Sequence, residues 1–297
     1  MEKNKRRFRD IGTSGLIQVK LGFHVSIAGS IDRAVDRVVE LSCNTFQLFT
    51  RNPRQWKPKE LTRAVTDAFV EKVTKNHMSP IFDHMPYLPN LASPKKDVYE
   101  RSIETLVSEL ERCRRLEIPY LVTHLGSHLG AGVSVGFERL VNAIDQALMR
   151  ADNNINLLLE NTAGTMNSMG RSFEDLYRII DRLDRPEQVG VCLDTCHAFA
   201  AGYDLRTQLA VEEVVNQLDA TVGIDQVKLV HLNDSIGDLN SHIDRHEHIG
   251  LGKIGEEGFK NVLHSRLGLL PLILETPKDA RRSDLENLRK VEALATR

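Results

Sequence analysis

The sequence predicts a single α/β domain folded as a (β/α)8 barrel, also called a TIM barrel. Short β-branched or aliphatic runs alternate eight times with longer amphipathic runs, which is the pattern of a repeated strand-helix unit. No linker rich in Pro, Gly or Ser divides the 297 residues, so one barrel fits better than two domains. The alternative is a doubly wound open sheet, but the turn after the first strand reads HVSIAGS and lacks the GxGxxG signature.

Each repeat supplies one strand and one helix. The strands are predicted at residues 18–24, 45–49, 80–83, 120–124, 155–160, 189–194, 227–231 and 271–275. The helices are predicted at about residues 30–41, 61–76, 97–116, 136–151, 173–183, 208–222, 256–263 and 283–295. The first helix illustrates the pattern, since Ile31, Ala34, Val35 and Val38 recur at helical spacing after Ser30, which can cap the first turn.

The first 16 residues differ from the rest of the chain. Five basic residues lie between Lys3 and Arg9, and little in this segment could pack in a core. Charge-rich segments of this kind stay solvated, so we expect a flexible basic extension at residues 1–16 and the barrel domain at residues 17–297. A weak, nonspecific contact with nucleic acid is the alternative role for the extension.

The composition is that of an ordinary globular protein. Its 39 basic and 41 acidic residues give a net charge of −2, and 41% of the residues are hydrophobic, which excludes collagen-like and disordered chains. The longest apolar run is interrupted by Gly268 and Pro271 and falls far short of the roughly 20 residues that a membrane helix needs. No apolar signal core follows the charged start, and no cysteines form a CxxC pair, so we expect a cytoplasmic protein with reduced thiols and no membrane partner.

Histidine and acidic side chains mark the carboxyl ends of the predicted strands. Catalytic groups come from these ends in a (β/α)8 barrel, and seven of the eight strands have such a residue there. They are His24, His84, His124, Glu160, Asp194, His231 and Glu275. Imidazole nitrogens mixed with carboxylate oxygens suit Zn²⁺ or Mn²⁺, whereas Mg²⁺ and Ca²⁺ prefer oxygen alone. The pattern therefore predicts a zinc or manganese site at this end of the barrel.

Three more ligand-like residues enlarge the set. His197 lies three residues after Asp194, and Asp244 and His246 follow the strand that ends at His231. With His24 set aside, nine candidate ligands remain, which exceeds one tetrahedral site. At about four ligands per ion, with one carboxylate shared and water completing the shells, nine side chains suffice for three metal ions.

The other histidines have less specific positions. His24, His128 and His248 either line the pocket or orient ligands from behind. His77, His242 and His264 end no strand, and we expect them to be ordinary structural histidines.

Nine sequence stretches together resemble one known family. They are GFHVSIAGS (22–30), LFTRNPRQW (48–56), HMPYLPNLASP (84–94), THLGSH (123–128), LLLENTAG (157–164), VGVCLDTCHAFAAGYDLRT (189–207), HLNDS with DRH (231–235 and 244–246), HEHIGLGKIG (246–255) and PLILET (271–276). Because these stretches occur in the family's order and at its spacing, the chain closely resembles the endonuclease IV family of apurinic/apyrimidinic (AP) endonucleases, also called AP endonuclease family 2. The resemblance extends from about residue 21 to residue 275.

The resemblance implies three zinc ions per chain, with manganese as the alternative at one or more sites. The implied ligand sets are His84, His124 and Glu160 for one ion, Glu160, Asp194, His231 and Glu275 for a second, and His197, Asp244 and His246 for a third. Glu160 would then bridge two ions, which makes it the implied catalytic residue. Every ligand of the family has a matching residue in this chain.

The resemblance also implies a reaction. It is hydrolysis of the phosphodiester 5′ to an abasic site in double-stranded DNA, leaving a 3′-hydroxyl and a 5′-deoxyribose phosphate, as in base excision repair. Removal of 3′-blocking groups is implied as well. A metal-bridging hydroxide would attack phosphorus while the third zinc ion stabilises the leaving 3′ oxygen. A barrel that binds one lesion needs no second subunit, so we expect a monomer.

Two loops carry the residues that match the family's DNA-binding positions. Arg54 and Gln55 lie in the basic segment RNPRQWK, and Tyr87 and Leu88 follow His84. An abasic nucleotide leaves the helix easily because it has no base to unpair, and inserted side chains assist this step.

The basic segment also has Arg51 and Lys57 around Trp56, with no acid before Glu60. This charge suits contact with phosphates, and a solvated basic turn is the alternative.

Three positions depart from the family's pattern. Ile236 stands where the family commonly has Lys, Asn240 where it has Gly, and Leu251 where Glu is often seen. All three miss the implied ligands, so they bear on phosphate contacts and loop shape instead of the metal chemistry.

Two other functions compete with this interpretation. A sugar isomerase or epimerase on the same barrel needs only a Glu, Asp, His, Glu set such as Glu160, Asp194, His231 and Glu275, and would leave the other five candidate ligands without a role. A non-catalytic, zinc-stabilised DNA-binding protein would have closed sites rich in cysteine, and no cysteine is placed as a ligand here.

Overall fold

Eight parallel strands close into a barrel, as the sequence predicts. The computed structural model describes residues 19–296, so the extension predicted at residues 1–16 lies outside the described residues. The barrel strands are β1 (Leu21–Val25), β2 (Thr45–Leu48), β3 (Ile81–His84), β4 (Tyr120–Thr123), β5 (Asn156–Glu160), β6 (Val189–Asp194), β7 (Val227–His231) and β10 (Leu272–Leu274). They are hydrogen-bonded in the cyclic order β1-β10-β7-β6-β5-β4-β3-β2. The barrel is closed, so the open-sheet alternative is wrong.

Helices surround the barrel at the predicted positions. They are α1 (Arg33–Glu40), α2 (Arg63–Lys75), α3 (Lys96–Leu116), α4 (Val133–Ala151), α5 (Phe173–Asp181), α7 (Gln208–Thr221), α8 (Gly255–Leu263) and α9 (Asp284–Ala295). Side-chain caps fix several starts: Ser172 and Asp175 form a capping box at α5, and Ser283 and Glu286 form one at α9. Within residues 19–296, no helix is both long and apolar enough to cross a membrane.

Two small elements at the carboxyl end of the barrel are absent from the sequence prediction. Helix α6 (Thr195–Ala201) begins directly after β6, and the side chain of Asp194 caps it by accepting a hydrogen bond from the His197 N–H at 2.8 Å. Strands β8 (Asp234–Ser235) and β9 (His246–Glu247) form an antiparallel pair within the long segment between β7 and α8. Both elements are too short for a periodic pattern to reveal them.

The core has two parts, one inside the barrel and one between barrel and helices. The inner part has one buried side chain from each of six strands: Phe82, Val122, Leu158, Cys192, Leu229 and Ile273. The outer part is a larger cluster in which the strands pack against the surrounding helices. All four cysteines are free and buried, as expected for reduced thiols. The filled interior leaves the carboxyl end of the barrel as the place for a pocket.

Candidate metal centre

A cavity of about 420 Å³ opens at the carboxyl end of the barrel. It is lined by His24, Phe49, His84, Tyr87, His124, Glu160, His197, Asp244, His246, Leu274, Glu275, Thr276 and Lys278. Two further predicted ligands, Asp194 and His231, are fully buried and lie opposite each other in the parallel ladder between β6 and β7. The barrel thus brings all nine candidate ligands to one end, because parallel strands present their carboxyl ends together.

The first group of donors is His84, His124 and Glu160. The Nε2 atoms of His84 and His124 lie 3.3 and 3.0 Å from the same carboxylate oxygen, Glu160 Oε2. Their ligand atoms all lie within 4.8 Å of one another, which is close enough to surround one cation.

The second group contains three carboxylates and one imidazole. His231 Nδ1 lies 3.1 Å from Glu160 Oε1, 3.4 Å from Glu275 Oε2 and 3.9 Å from Asp194 Oδ2. Glu160 therefore belongs to both groups, with Oε2 facing the first and Oε1 facing the second. A carboxylate in this position can bridge two cations.

The third group differs in one member from the set that the family resemblance implies. Asp194, His197 and His246 have ligand atoms within 4.8 Å of one another. The implied ligand Asp244 joins them through His197, whose Nε2 lies 3.0 Å from Asp244 Oδ1. Asp194 thus stands next to both the second and third groups, and four donors surround the third position.

Hydrogen bonds to the backbone fix which nitrogen of three histidines faces the cavity. The Nδ1 atoms of His84, His197 and His246 lie 2.7, 2.9 and 3.2 Å from the carbonyl oxygens of Met85, Asn161 and Glu275. A carbonyl only accepts hydrogen bonds, so Nδ1 is the donor in each ring, and Nε2 is the atom turned toward the other side chains of the site. Histidines that bind metals usually have this arrangement.

Two buried ring nitrogens in the site, His24 Nε2 and His246 Nε2, make no hydrogen bond with any described residue. The nearest carboxylate oxygen to His246 Nε2 is Asp194 Oδ2, at 3.5 Å. Buried polar atoms are nearly always paired, so an unpaired ring nitrogen beside the Asp194 carboxylate fits a position that binds a cation. The donor set of the three groups is imidazole and carboxylate throughout, which fits zinc.

Burial and neighbouring charges shift the pKa values of several side chains in the site. Burial opposes protonation of His197, but the nearby carboxylates of Asp194, Asp244 and Glu160 outweigh it and raise its pKa to about 10. Burial likewise opposes ionisation of Glu160, yet the imidazoles of His124 and His231 hold the pKa of its carboxyl well below the usual range. The carboxylates thus require positive charge nearby, which protons or metal ions can supply.

Two amide side chains that the sequence analysis missed support the ligands. The Gln47 side chain donates through Nε2 to Glu275 Oε1 at 2.8 Å and accepts through Oε1 from His231 Nε2 at 2.8 Å. Asn233 donates through Nδ2 to Asp194 Oδ2 at 2.7 Å and accepts from the Glu275 N–H at 2.8 Å. Gln47 is a polar residue inside an apolar strand, a signal that could have identified it; Asn233 has no such signal.

His24, His128 and His248, whose roles the sequence leaves open, have three different environments in the structure. His24 Nδ1 lies 3.0 Å from Glu275 Oε1, so His24 lines the cavity and contacts a candidate ligand. His248 is buried away from the cavity and pairs with Asp279 at 3.1 Å. His128 lies in the loop after β4, where its Nδ1 accepts a hydrogen bond from the Gly132 N–H.

The predicted DNA-contact residues lie on the rim. Arg54 and Gln55 are exposed, and Tyr87 and Leu88 are 58% and 37% exposed although both are apolar or aromatic. Arg51 is not part of this exposed surface, because it is 3% exposed and paired with Glu109. The prediction that Arg51 contacts phosphates is therefore wrong.

The three departures from the family's pattern lie on the surface around the site. Ile236 and Leu251 are 46% and 48% exposed. Asn240 has a φ of 58°, in the left-handed region. Glycine favours this region and asparagine tolerates it, which explains how Asn240 keeps a conformation suited to glycine.

Comparisons of the sequence with known proteins identify the relatives of this chain. A family model described as a xylose isomerase-like TIM barrel matches residues 35–293. The probable endonuclease 4 of Methanoculleus marisnigri is 54% identical over 279 residues, which covers 93% of this chain and 99% of that protein. The probable endonuclease 4 of Nitrosopumilus maritimus is 49% identical over 280 residues, covering 93% of this chain and all of that protein.

Solved structures show the same relationship. Endonuclease IV from Thermus thermophilus superposes with a TM-score of 0.81 at 35% identity, covering 93% of this chain and 97% of that one. A D-tagatose 3-epimerase-like protein superposes with a TM-score of 0.69 at 22% identity over 93% of this chain and 95% of its own, a likeness that shows the fold alone. The chain belongs to the endonuclease IV family of AP endonucleases.

Proposed function

We propose that this protein is a zinc-dependent deoxyribonuclease of base excision repair. It hydrolyses the phosphodiester 5′ to an abasic site in double-stranded DNA and leaves a 3′-hydroxyl and a 5′-deoxyribose phosphate. Removal of 3′-blocking groups belongs to the same proposal, because it breaks the same kind of bond. The observation that carries the proposal is the position of Glu160, whose two carboxylate oxygens face two different donor groups.

Three zinc ions fit the donors. His84, His124 and Glu160 would hold the first, Glu160, Asp194, His231 and Glu275 the second, and His197, Asp244 and His246 the third, with Asp194 beside the third group. Bound zinc supplies an activated water at neutral pH and stabilises the charge that develops on a phosphate and its leaving oxygen.

The side chains of this protein prepare the site for that chemistry. Backbone carbonyls accept the Nδ1–H of His84, His197 and His246, so Nε2 of each is the atom that would face the metal. In His231 the two nitrogens exchange roles. Nε2 donates to the Gln47 side-chain oxygen, and Nδ1 faces the carboxylates. Since these hydrogen bonds fix the orientation of each imidazole ring in advance, the side chains need little rearrangement to hold a metal ion.

The rim brings the substrate to the site. Arg54 and Gln55 in one loop and Tyr87 and Leu88 in the next are exposed, and Tyr87 also lines the cavity. In this proposal these side chains enter the duplex. Insertion of such side chains displaces the abasic nucleotide toward the cavity at small cost, because it neither stacks nor pairs. We propose that the protein does this as a monomer in the cytoplasm, where its four buried thiols stay reduced.

The decisive experiment combines metal analysis with strand incision. The purified protein is incubated with an end-labelled duplex carrying one abasic analogue, and the same duplex without the lesion serves as the control. We expect about three zinc ions per chain and a single cut on the 5′ side that leaves a 3′-hydroxyl. Full zinc occupancy without any incision would refute the proposal and favour sugar chemistry, which the same preparation can test on ketose and aldose substrates.

A further inference from the structure

A buried group of charged side chains lies beneath the loop that carries Arg54 and Gln55. We call residues 51–60 the recognition loop; it contains neither helix nor strand. Arg51, the first residue of this loop, and Glu109 and Arg112 of α3 beneath it are 3%, 0% and 7% exposed. We call these three residues the loop clamp. None of them is a candidate metal ligand, and the proposed chemistry does not use them.

The clamp holds the recognition loop at two points. Arg51 donates through Nη1 to the carbonyl oxygen of Trp56 at 3.1 Å while its Nε pairs with Glu109. Arg112 donates through Nη1 to the carbonyl oxygen of Lys59 at 3.0 Å. Two guanidinium groups thus take the place of the backbone partners that a helix or strand would provide.

The same group reaches the strand that carries a candidate ligand. Arg112 Nε donates to Thr50 Oγ1 at 2.9 Å, and the Thr50 N–H donates to Asp83 Oδ1 at 3.0 Å. Asp83 Oδ1 also accepts from the His84 N–H at 2.9 Å. A continuous chain of buried hydrogen bonds therefore connects the recognition loop to His84 in the metal centre.

Burying charges in this way is expensive. Two guanidinium groups and a carboxylate lose their hydration here, and apolar side chains of similar volume often stabilise a fold equally well. Arginine, however, presents several donors in a rigid fork, which apolar contacts cannot imitate. We infer that this arrangement serves to fix the conformation of the loop, since stabilising the fold alone would not require buried charges.

We propose that Arg51, Glu109 and Arg112 are positioning residues that hold the recognition loop above the metal centre, so that Arg54 and Gln55 meet the damaged strand already ordered. This inference rests on the proposed function, since it concerns how the same site recognises DNA. A loop ordered in advance loses less entropy on binding, so the clamp lowers the KM for abasic DNA and leaves the chemical step unchanged.

The test is Arg112→Lys, which keeps the charge but cannot reach the carbonyl of Lys59 and the side chain of Thr50 together. The matched control is Arg150→Lys, since Arg150 also binds a glutamate of α3, Glu104, but does not hydrogen-bond to the recognition loop. For Arg112→Lys we expect a KM for the abasic duplex raised about tenfold, with kcat within about twofold and unchanged zinc content. Amide hydrogen exchange in residues 51–60 should rise, and the control should match the wild type in every respect.

Two results would overturn the proposal. One is an unchanged KM with unchanged exchange in the loop, and the other is a fall in kcat at constant KM. Should Arg112→Lys fail to fold, Glu109→Asp retains the charge and withdraws the carboxylate from Arg51, and the same outcomes apply to it. Wild-type protein that does not cut abasic DNA would refute the proposed function instead, while hydrogen exchange in the loop would still decide whether the clamp orders it.

Discussion

Tyr87 donates its backbone N–H to the carbonyl oxygen of Pro53 across 3.1 Å. This bond joins the loop after β3 to the recognition loop, and the ring of Tyr87 also packs edge-on against Phe49 at 5.2 Å between centroids. The two loops predicted to enter DNA therefore form one rim. Because the ring centroid of Phe49 is in turn 5.5 Å from that of His84, the rim packs directly against the candidate metal centre.

Replacement of Tyr87 by alanine tests the role of this rim in binding DNA. The exposed ring is lost, while the backbone bond to Pro53 remains. Stacking of a base on an aromatic ring contributes about 1–3 kcal/mol, so we expect the KM for the abasic duplex to rise about tenfold with zinc content unchanged. Tyr87→Phe keeps the ring and should stay near wild type. A similar loss in both variants would show that the hydroxyl, not the ring, matters.

Replacement of Glu160 by glutamine should cost far more. The amide keeps the size of the side chain but supplies only one oxygen where the carboxylate has two, one toward each donor group. Loss of even an outer partner of a metal ligand typically costs about 10- to 100-fold, so we expect incision to fall more than about a hundredfold. Metal analysis should show the loss of more than one zinc ion per chain. Activity equal to that of Tyr87→Ala would contradict the bridging role.

The repeated pattern of apolar strands and amphipathic helices was sufficient to predict the barrel. All eight strands can be located because each is a short, largely buried run, and seven of the eight have a His, Asp or Glu at the carboxyl end, as β5 has Glu160. Helix α6 was missed because it is seven residues long and almost entirely buried, so it shows no amphipathic period. The pair β8 and β9 was missed because two-residue strands carry no alternation at all.

The sequence could predict those site residues that lie at the carboxyl ends of strands, because their positions follow from the strand pattern. Arg51 was misjudged because charge alone does not reveal burial: its partner Glu109 lies 58 residues away on α3. Gln47 stands out in the sequence as a polar residue inside an apolar strand, but its partners His231 and Glu275 come close to it only when the barrel closes. A local pattern can therefore show an unusual polar residue without showing what it pairs with.

The single tryptophan of the chain offers a direct readout of DNA binding. Trp56 lies in the recognition loop, half-buried, with the Arg101 guanidinium 4.3 Å from its ring centroid. Insertion of the loop into a duplex would change the surroundings of this ring, so we expect the emission of Trp56 to shift on titration with abasic DNA. Undamaged duplex should give a smaller change. Identical spectra with and without lesion DNA would show that the loop stays clear of the substrate.

The interior of the barrel should tolerate truncation poorly. Leu158 is fully buried among the six side chains that fill the barrel. Leu158→Ala leaves a cavity there, and comparable substitutions cost about 2–5 kcal/mol, so the free energy of unfolding measured in denaturant should fall by that amount. Met149→Ala is the control, because Met149 is 62% exposed and its loss should change stability little. Equal effects would mean that the interior can collapse around the gap.

Removal of the metal should abolish incision while leaving the barrel folded. The apolar core inside and outside the barrel contains no candidate ligand, so the fold does not depend on zinc as small zinc domains do. Circular dichroism of chelator-treated protein should retain its helical signal, and added zinc should restore incision. Because the pKa of His197 is raised to about 10 in the metal-free chain, zinc must displace a proton there, and its apparent affinity should fall as the pH is lowered from about 8 to about 6. An affinity independent of pH over that range would show that His197 is not a ligand in the way proposed.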